Sequence, residues 1–231
     1  MAQPQEVVTL SLMDFSQLRT QWWAFQQMGL SPWLFRRVAG AKMIKMLGSG
    51  GGNGFSIRPN FGRYALLCVW ESEAAAQVFF RENKWWQQAA RRSSNCYTLY
   101  MHTAAVHGLW GGICPFDTVV PLDKQRPLAV ITRATIRWRH LPGFWRFVPS
   151  VSAQAKGHAG QQLSIGIGEW PLFMQATFSL WQDTASMMEY AYTHARHREV
   201  VQKTRELGWY KEELFARFHP YREEGVRPSQ E

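Results

Sequence analysis

Along the chain, apolar positions either alternate with polar ones or recur every three to four residues, and the order of these blocks repeats once. "VVTLSL" (7–12) is β-branched with partial alternation and predicts a strand. "SQLRTQWWAFQQMG" (16–29) sets Leu18, Trp22 and Phe25 at helical spacing, with Gly29 as a stop. "AKMIKML" (41–47), "YALLCVW" (64–70) and "CYTLYMH" (96–102) predict strands, and residues 72–94 predict one helix opened by Ser72. The second half follows suit. "LAVITRATIRW" (128–138), "LSIGIGE" (163–169), "MQATFSLW" (174–181) and "YKEELFARF" (210–218) predict strands, with a broken helical stretch over 143–157 and a helix over 183–208.

Each half therefore reads β-α-β-β-α-β, a ferredoxin-like unit. The halves share a local pattern, an apolar strand ending in Trp, a polar pair and a small-residue helix start. The two tryptophans, Trp70 and Trp181, stand 111 positions apart. Such a unit covers one face of its sheet with helices and leaves the other bare, so two units bury their bare faces against each other. The expected fold is α+β: two tandem ferredoxin-like halves, 1–111 and 128–231, packed sheet to sheet as a fused dimeric α+β barrel. A Pro-containing polar linker spans 112–127.

Composition refines this picture. The chain has 231 residues, 46% of them hydrophobic and 19% charged, which predicts a packed core and argues against disorder. A net charge of +9 favours anionic partners, among them an acidic redox protein or a lipid surface. Twelve tryptophans exceed what a core of this size calls for, and the excess suits an apolar pocket or a membrane interface. Three cysteines without CxxC spacing predict neither a disulfide framework nor a zinc site. The start of the chain lacks the order of a signal peptide, and the longest apolar run is far too short to span a membrane. A cytoplasmic protein, peripheral to a membrane at most, is expected.

Candidate chemistry is sparse. "GSGGGNG" (48–54) lacks the Lys-Ser/Thr ending and the following helix that a phosphate loop needs, and reads as a surface loop or a lid. His194 and His197 lie three positions apart in the last helix, and positions 194, 197, 201 and 204 share a face. His197 is then either a hydrogen-bonded core histidine or the single axial ligand of a haem in an apolar slot; zinc would need further ligands. On the strand "ITRATIR", Arg133 and Arg137 share a face with Ile131 and Thr135. They either pair with carboxylates such as Glu169 or Glu213, or clamp haem propionates and donate to bound oxygen. No Ser-His-Asp triad and no dinucleotide fingerprint is present. The strand motif of RNA-binding ferredoxin-like domains is missing too, so no nucleic-acid partner is expected.

Several spaced motifs carry a resemblance. "LAVITRATIRWRHLPGFWRFVPSVS", "SIGIGEWPLFMQATFSLWQD" and "HREVVQKTRELGWYKEELFARF" resemble the spheroidene monooxygenase family of carotenoid biosynthesis, as do "VVTLSLMDF", "WAFQQMGL" and "GSGGGNGF". The likeness covers nearly all of 6–218; "KWWQQAARRSSNCYTLY" and the basic tail "HPYREEGVRPSQE" fall outside it. The resemblance implies a haem- and oxygen-dependent enzyme that oxidises C-2 of an acyclic carotenoid. Two hydroxylations and loss of water give a 2-keto group, with electrons from a reduced ferredoxin-type donor. His197 falls on a histidine that matches the family's pattern and is the expected axial ligand, whereas His194, a second candidate for cofactor binding, has no such match; Trp181, expected at the cofactor, and Arg133 and Arg137, expected as catalytic residues, match family motifs. Trp145, Phe147, Phe173 and Trp181 are candidates for lining the substrate tunnel. The alternative is an α+β barrel that binds haem or another small molecule without carotenoid oxygenase activity.

Overall fold

The computed structural model describes residues 5–51, 59–145, 160–170, 173–193 (backbone alone at 191–193) and 207–228. Eight strands close into one antiparallel barrel. In chain order the first half holds β1 (Val7–Asp14), α1 (Leu18–Leu34), β2 (Ala41–Gly50), β3 (Pro59–Trp70), α2 (Glu73–Glu82), α3 (Lys84–Arg92) and β4 (Asn95–Gly108). The second holds β5 (Leu128–Ile136), a helical turn at 141–145, β6 (Gln161–Trp170), β7 (Met174–Trp181), α4 (Thr184–Thr193) and β8 (Tyr210–Glu224).

Around the barrel the order is β1-β3-β2-β6-β7-β5-β8-β4, which is two ferredoxin-like sheets joined at their edges. The expected face-to-face packing takes this form: the two bare faces curl into a single interior instead of stacking as separate layers. Period-two alternation decides which side chains enter it. Leu10 and Leu12 of β1, Leu67 and Val69 of β3, Ile165 and Ile167 of β6, and Ala216 and Phe218 of β8 fill the barrel. The outward positions of the first half form a second core beneath α1, α2 and α3, built on Met13, Tyr64, Leu66 and Trp70.

Local chemistry explains where the elements differ from the sequence pattern. The single helix expected over 72–94 is two helices, because Asn83 adopts φ −70°, ψ 117° and its Oδ1 accepts the Trp86 N–H at 3.0 Å, capping α3. Ser72 caps α2 as expected, accepting the Ala75 N–H. Helix α1 runs through Gly29 to Leu34 despite Pro32. Proline leaves the Met28 carbonyl without its helical donor, and the Ser31 hydroxyl supplies one at 2.8 Å. Strand β8 extends beyond 218 to Glu224 because β4 pairs with it from Gly108–Leu214 to Thr98–Glu224.

Trp70 and Trp181 are pseudo-equivalent: Val7 pairs with Trp70 as Leu128 pairs with Trp181. Each indole is buried, donates to a hydroxyl (Thr9 Oγ1 and Ser179 Oγ, both 2.9 Å) and packs under a helix, against Phe79 of α2 and Tyr190 of α4 respectively.

Candidate functional site

The two junctions between the half-sheets are unequal. Strands β4 and β8 pair along most of their length. Among the described residues β2 and β6 pair only at Gly48–Gly168 and Ser49–Ile167. Beyond that pairing the junction is held by side chains inside the barrel: Lys45 Nζ lies 2.7 Å from Glu169 Oε1.

On the outer side of this junction, beneath α1, lies a cavity of about 640 Å³, within the usual range for small-molecule sites. Phe25, Met28, Gly29 and Pro32 of α1 roof it, and Ile44, Met46, Phe61 and Tyr64 wall it. Its floor is stripped to glycine where Gly48 faces Gly168. Gln26, Ser31, Ser49, Asn60 and Gln175 add polar groups around this mainly apolar lining. Glu169 and Lys45 reach it from the barrel interior, and Tyr64 contributes a hydroxyl that is buried without a hydrogen-bond partner. Burial pushes the Tyr64 phenol up to about 12, so it stays protonated.

Behind Glu169 lies an ion network that plugs one end of the barrel. Arg133, 3% exposed, stands on the interior face of β5, at the position that leucine (Leu12) holds in the first half. Its Nη1 donates to Glu212 and its Nη2 lies 3.5 Å from Glu169 Oε2, while the guanidinium sits 5.0 Å over the Trp110 ring. Trp110 Nε1 donates to Glu169 at 2.9 Å, and Glu212 also accepts the Gly111 and Gly112 N–H groups at 2.9 and 2.7 Å. Burial raises the Glu212 carboxyl, but those two N–H groups and Arg133 outweigh it and hold it below the ordinary carboxylate value. The carboxylate account of Arg133 is therefore seen, with Glu169 as expected and Glu212 in place of Glu213. Leu214, Ala216 and Phe218 point inward, so alternation brings Glu212 inward and turns Glu213 out.

Arg133 and Arg137 do not form a pair. Strand β5 ends at Ile136, and Arg137 is exposed beyond it, its Nε donating to the Tyr210 carbonyl at 3.3 Å. Trp181 is buried in the cluster that seats α4, with Leu128, Val130 and Met187. Trp145 is half-buried beside Phe144, and Phe173 is exposed. His194, His197 and Phe147 lie outside the described residues. Among the described histidines, His219 is fully buried, accepting the Asp123 N–H on Nε2 at 2.9 Å and holding the Pro127 carbonyl on Nδ1 at 3.0 Å. Both its nitrogens are occupied, which makes it a core group rather than a ligand.

The pseudo-symmetry exposes a difference between the two outer faces. Met46 opposite Leu66 in the first half corresponds to Gly166 opposite Thr177 in the second. Met13 opposite Tyr64 corresponds to Ala134 opposite Gln175, and Ile44 opposite Cys68 corresponds to Ser164 opposite Ser179. The bulky residues of the first half are core. Their counterparts are small or polar: Thr132 is exposed, Ser164, Thr177 and Ser179 are half-buried, and the Thr177 hydroxyl has no hydrogen-bond partner. The outer face of the second sheet, called the bed below, thus carries small and polar residues between the α4 contact and the glycine floor of the junction, and Gly168 and Gln175 belong to both it and the cavity lining.

No family model matches the chain. It is 34% identical over 214 residues to a spheroidene monooxygenase of Cereibacter sphaeroides, covering 92% of this chain and 66% of that one. It is 33% identical over 221 residues to the spheroidene monooxygenase of Rhodobacter capsulatus, covering 95% and 92%. A third, from Rubrivivax gelatinosus, is 33% identical over 187 residues. The chain therefore spans just under two thirds of the first of these relatives and most of the second. Among solved structures, the fold is similar to an aldoxime dehydratase in complex with butyraldoxime (TM-score 0.63, 11% identity, 98% of this chain and 84% of that one). A second aldoxime dehydratase gives a TM-score of 0.61 at 14% identity.

Proposed function

The chain belongs to the spheroidene monooxygenase family, and from that premise we propose that it oxidises C-2 of an acyclic, spheroidene-like carotenoid to a 2-keto group. Two hydroxylations at C-2 give a gem-diol, which loses water to leave the ketone. Oxygen comes from O2 and electrons from a reduced ferredoxin-type donor. The observation that carries the reading is the small-residue outer face of the second sheet, where Gly166, Thr177, Ser164 and Ala134 stand in place of Met46, Leu66, Ile44 and Met13.

The smaller side chains on this face are what would let a flat apolar group lie against it. Haem is the group proposed there; when bound it supplies oxygen activation at iron. His197 is the residue that would hold the haem iron, with His194 a second candidate contact: in the sequence, positions 187, 190, 194 and 197 keep one helical spacing, and Met187 and Tyr190 pack against the sheet. Trp181 seats α4 and walls the bed through the outward face it shares with Ser179. Arg137, exposed past Ala134 at the end of β5, is the proposed cation for a propionate at the rim.

Arg133 faces the barrel interior, on the opposite side of the sheet from this bed. Its proposed part is to position Glu169 on the cavity wall and to exclude water from the barrel end. The cavity beneath α1 shares Gly168 and Gln175 with the bed, and its mainly apolar lining suits the end of a polyene chain. Tyr64 is the donor able to greet a polar terminus there.

The test is expression in cells that make an acyclic carotenoid. The expected result is a 2-keto product, identified by mass and by the red shift of the polyene absorption, and its loss in His197→Ala. Haem-loaded protein with a working electron donor and no keto product would overturn the oxygenase reading and leave the small-molecule binder.

A further inference from the structure

Helix α1 is apolar on both sides. Its inner side packs Trp23, Ala24 and Met28 on the barrel. Leu18, Trp22, Phe25, Gly29 and Trp33, at successive steps of four, three, four and four, form one stripe along the opposite face. That stripe is exposed: Leu18 by 84%, Trp22 by 62% and Trp33 by 77%, with Leu30 and Leu34 exposed beside it. The stripe read from the sequence spacing is therefore not the core-facing one. Trp22 stacks on Phe25 at 5.7 Å and Phe25 meets Phe61 edge-on at 5.6 Å, so the patch runs without a break to the rim of the cavity.

Charge indicates what covers this face. From Phe15 to Trp70 there are seven basic residues and no acidic one. Lys42, Lys45 and Arg63 are used in ion pairs with Glu6, Glu169 and Asp14. Arg19, Arg36 and Arg37, at the two ends of α1, are exposed and make no ion pair among the described residues. An exposed tryptophan and leucine stripe flanked by free arginines is the pattern of a helix lying in the headgroup layer of an anionic bilayer. At about 1.5 Å per residue, α1 would lie along the surface for about 26 Å.

Gly29 adds the second feature. It lies in the stripe between Phe25 and Trp33, it lines the cavity, and a Cβ built on it meets nothing within 4 Å. We propose that α1 docks the protein on an anionic membrane and that the gap at Gly29 is a lateral port, through which a long apolar molecule passes from lipid into the cavity at the β2–β6 junction. The port rests on the apolar-substrate reading above; the docking does not.

Two arms test this. In the first, the full chain is sedimented with phosphatidylcholine vesicles with and without one-third phosphatidylglycerol. Binding is expected to the anionic vesicles and to fall at high salt. It should weaken at least about tenfold in the Leu18→Ser, Trp22→Ser, Trp33→Ser triple variant and about fivefold for each of Arg36→Gln and Arg37→Gln. The melting temperature should hold in all, since every replaced side chain is exposed. Unchanged vesicle binding in the triple variant overturns the docking, as does a wild-type dimer that this variant converts to monomer, because a second copy then covers the face. In the second arm, a conjugated tetraene fatty acid is loaded into the vesicles and its transfer is read by energy transfer from tryptophan. Gly29→Leu should keep vesicle binding and slow transfer about tenfold; transfer at the wild-type rate overturns the port. Vesicle binding that behaves as described, in a protein that never yields keto product, leaves the docking standing and removes the oxygenase reading.

Discussion

Replacing Arg133 with methionine keeps most of the buried stem and deletes the one cation between two carboxylates. Breaking a buried ion pair by removing one partner costs roughly 3–5 kcal/mol when the survivor has nothing else. Here the survivors are partly provided for. Glu212 keeps the Gly111 and Gly112 N–H groups, and Glu169 keeps Lys45 and the Trp110 indole. Both carboxylates also retain some access to water, 17% and 19% of their side-chain surface. The expected loss is therefore smaller, about 2–3 kcal/mol at pH 7, or roughly 4–12 °C in melting temperature for a chain of this size. Its pH dependence follows from Glu212. The folded-state value lies below the ordinary 4.5, so the stabilisation is fully present above that value and is lost as pH falls through the folded one. The deficit of the variant should be largest near neutrality and shrink on acidification, and Glu169→Gln with Glu212→Gln added to Arg133→Met should recover part of it. Urea unfolding followed by circular dichroism between pH 7 and 3 reads this out. A variant within about 0.5 kcal/mol of wild type, the scatter of ordinary surface substitutions, or a deficit flat with pH, would refute the reasoning.

Three further outcomes are expected. His219→Phe should cost about 1–3 kcal/mol in urea unfolding, because it leaves the Asp123 N–H and the Pro127 carbonyl without partners in a fully buried site. Gly48→Leu should hold the melting temperature within a few degrees, since the nearest atom to a new Cβ is the flexible Met28 sulfur at 3.2 Å, while it abolishes polyene binding in a fluorescence titration; Gly168→Leu should misfold, because a Cβ there lies 2.5 Å from the Met174 carbonyl oxygen. With a thiol reagent on the native protein, Cys114 should react first and Cys68 only on unfolding, since Cys114 is exposed and burial pushes the Cys68 thiol far up.

Much of the barrel was legible because alternation is a strong signal when one face of every strand is buried. "LSIGIGE" could not be placed otherwise without turning its apolar set to water, whereas "LAVI" is apolar on both faces and both are buried. What the pattern hid was decided by tertiary context. The break at Asn83 looks like any polar residue within a helix until its cap is seen. The Leu18–Trp22–Phe25 stripe has the spacing of a core face, yet Trp23, Ala24 and Met28 on the other side of α1 do the packing and leave that stripe outside. Glu212 was within reach: counting back by twos from Phe218 through Ala216 and Leu214 arrives at it, not at Glu213. The pairing of Arg133 with Arg137 failed for a simpler reason, that β5 stops one residue short of Arg137 where Arg137 N–H bonds the Trp209 carbonyl. The small-residue bed could not be seen from either half alone; it emerges only when the registers of the two halves are laid over one another. The histidines of the last helix are known from sequence alone.

Filling the small-residue face of the second half tests most directly whether it houses the proposed haem. Haem titration of the purified protein, followed in the Soret region, tests it with Gly166→Met and Thr177→Leu introduced together to rebuild the Met46–Leu66 contact of the first half. A Soret band is expected for wild type, and a variant that melts no earlier yet binds haem at least about a hundredfold more weakly. Equal affinity and an unchanged band in the filled variant would contradict it.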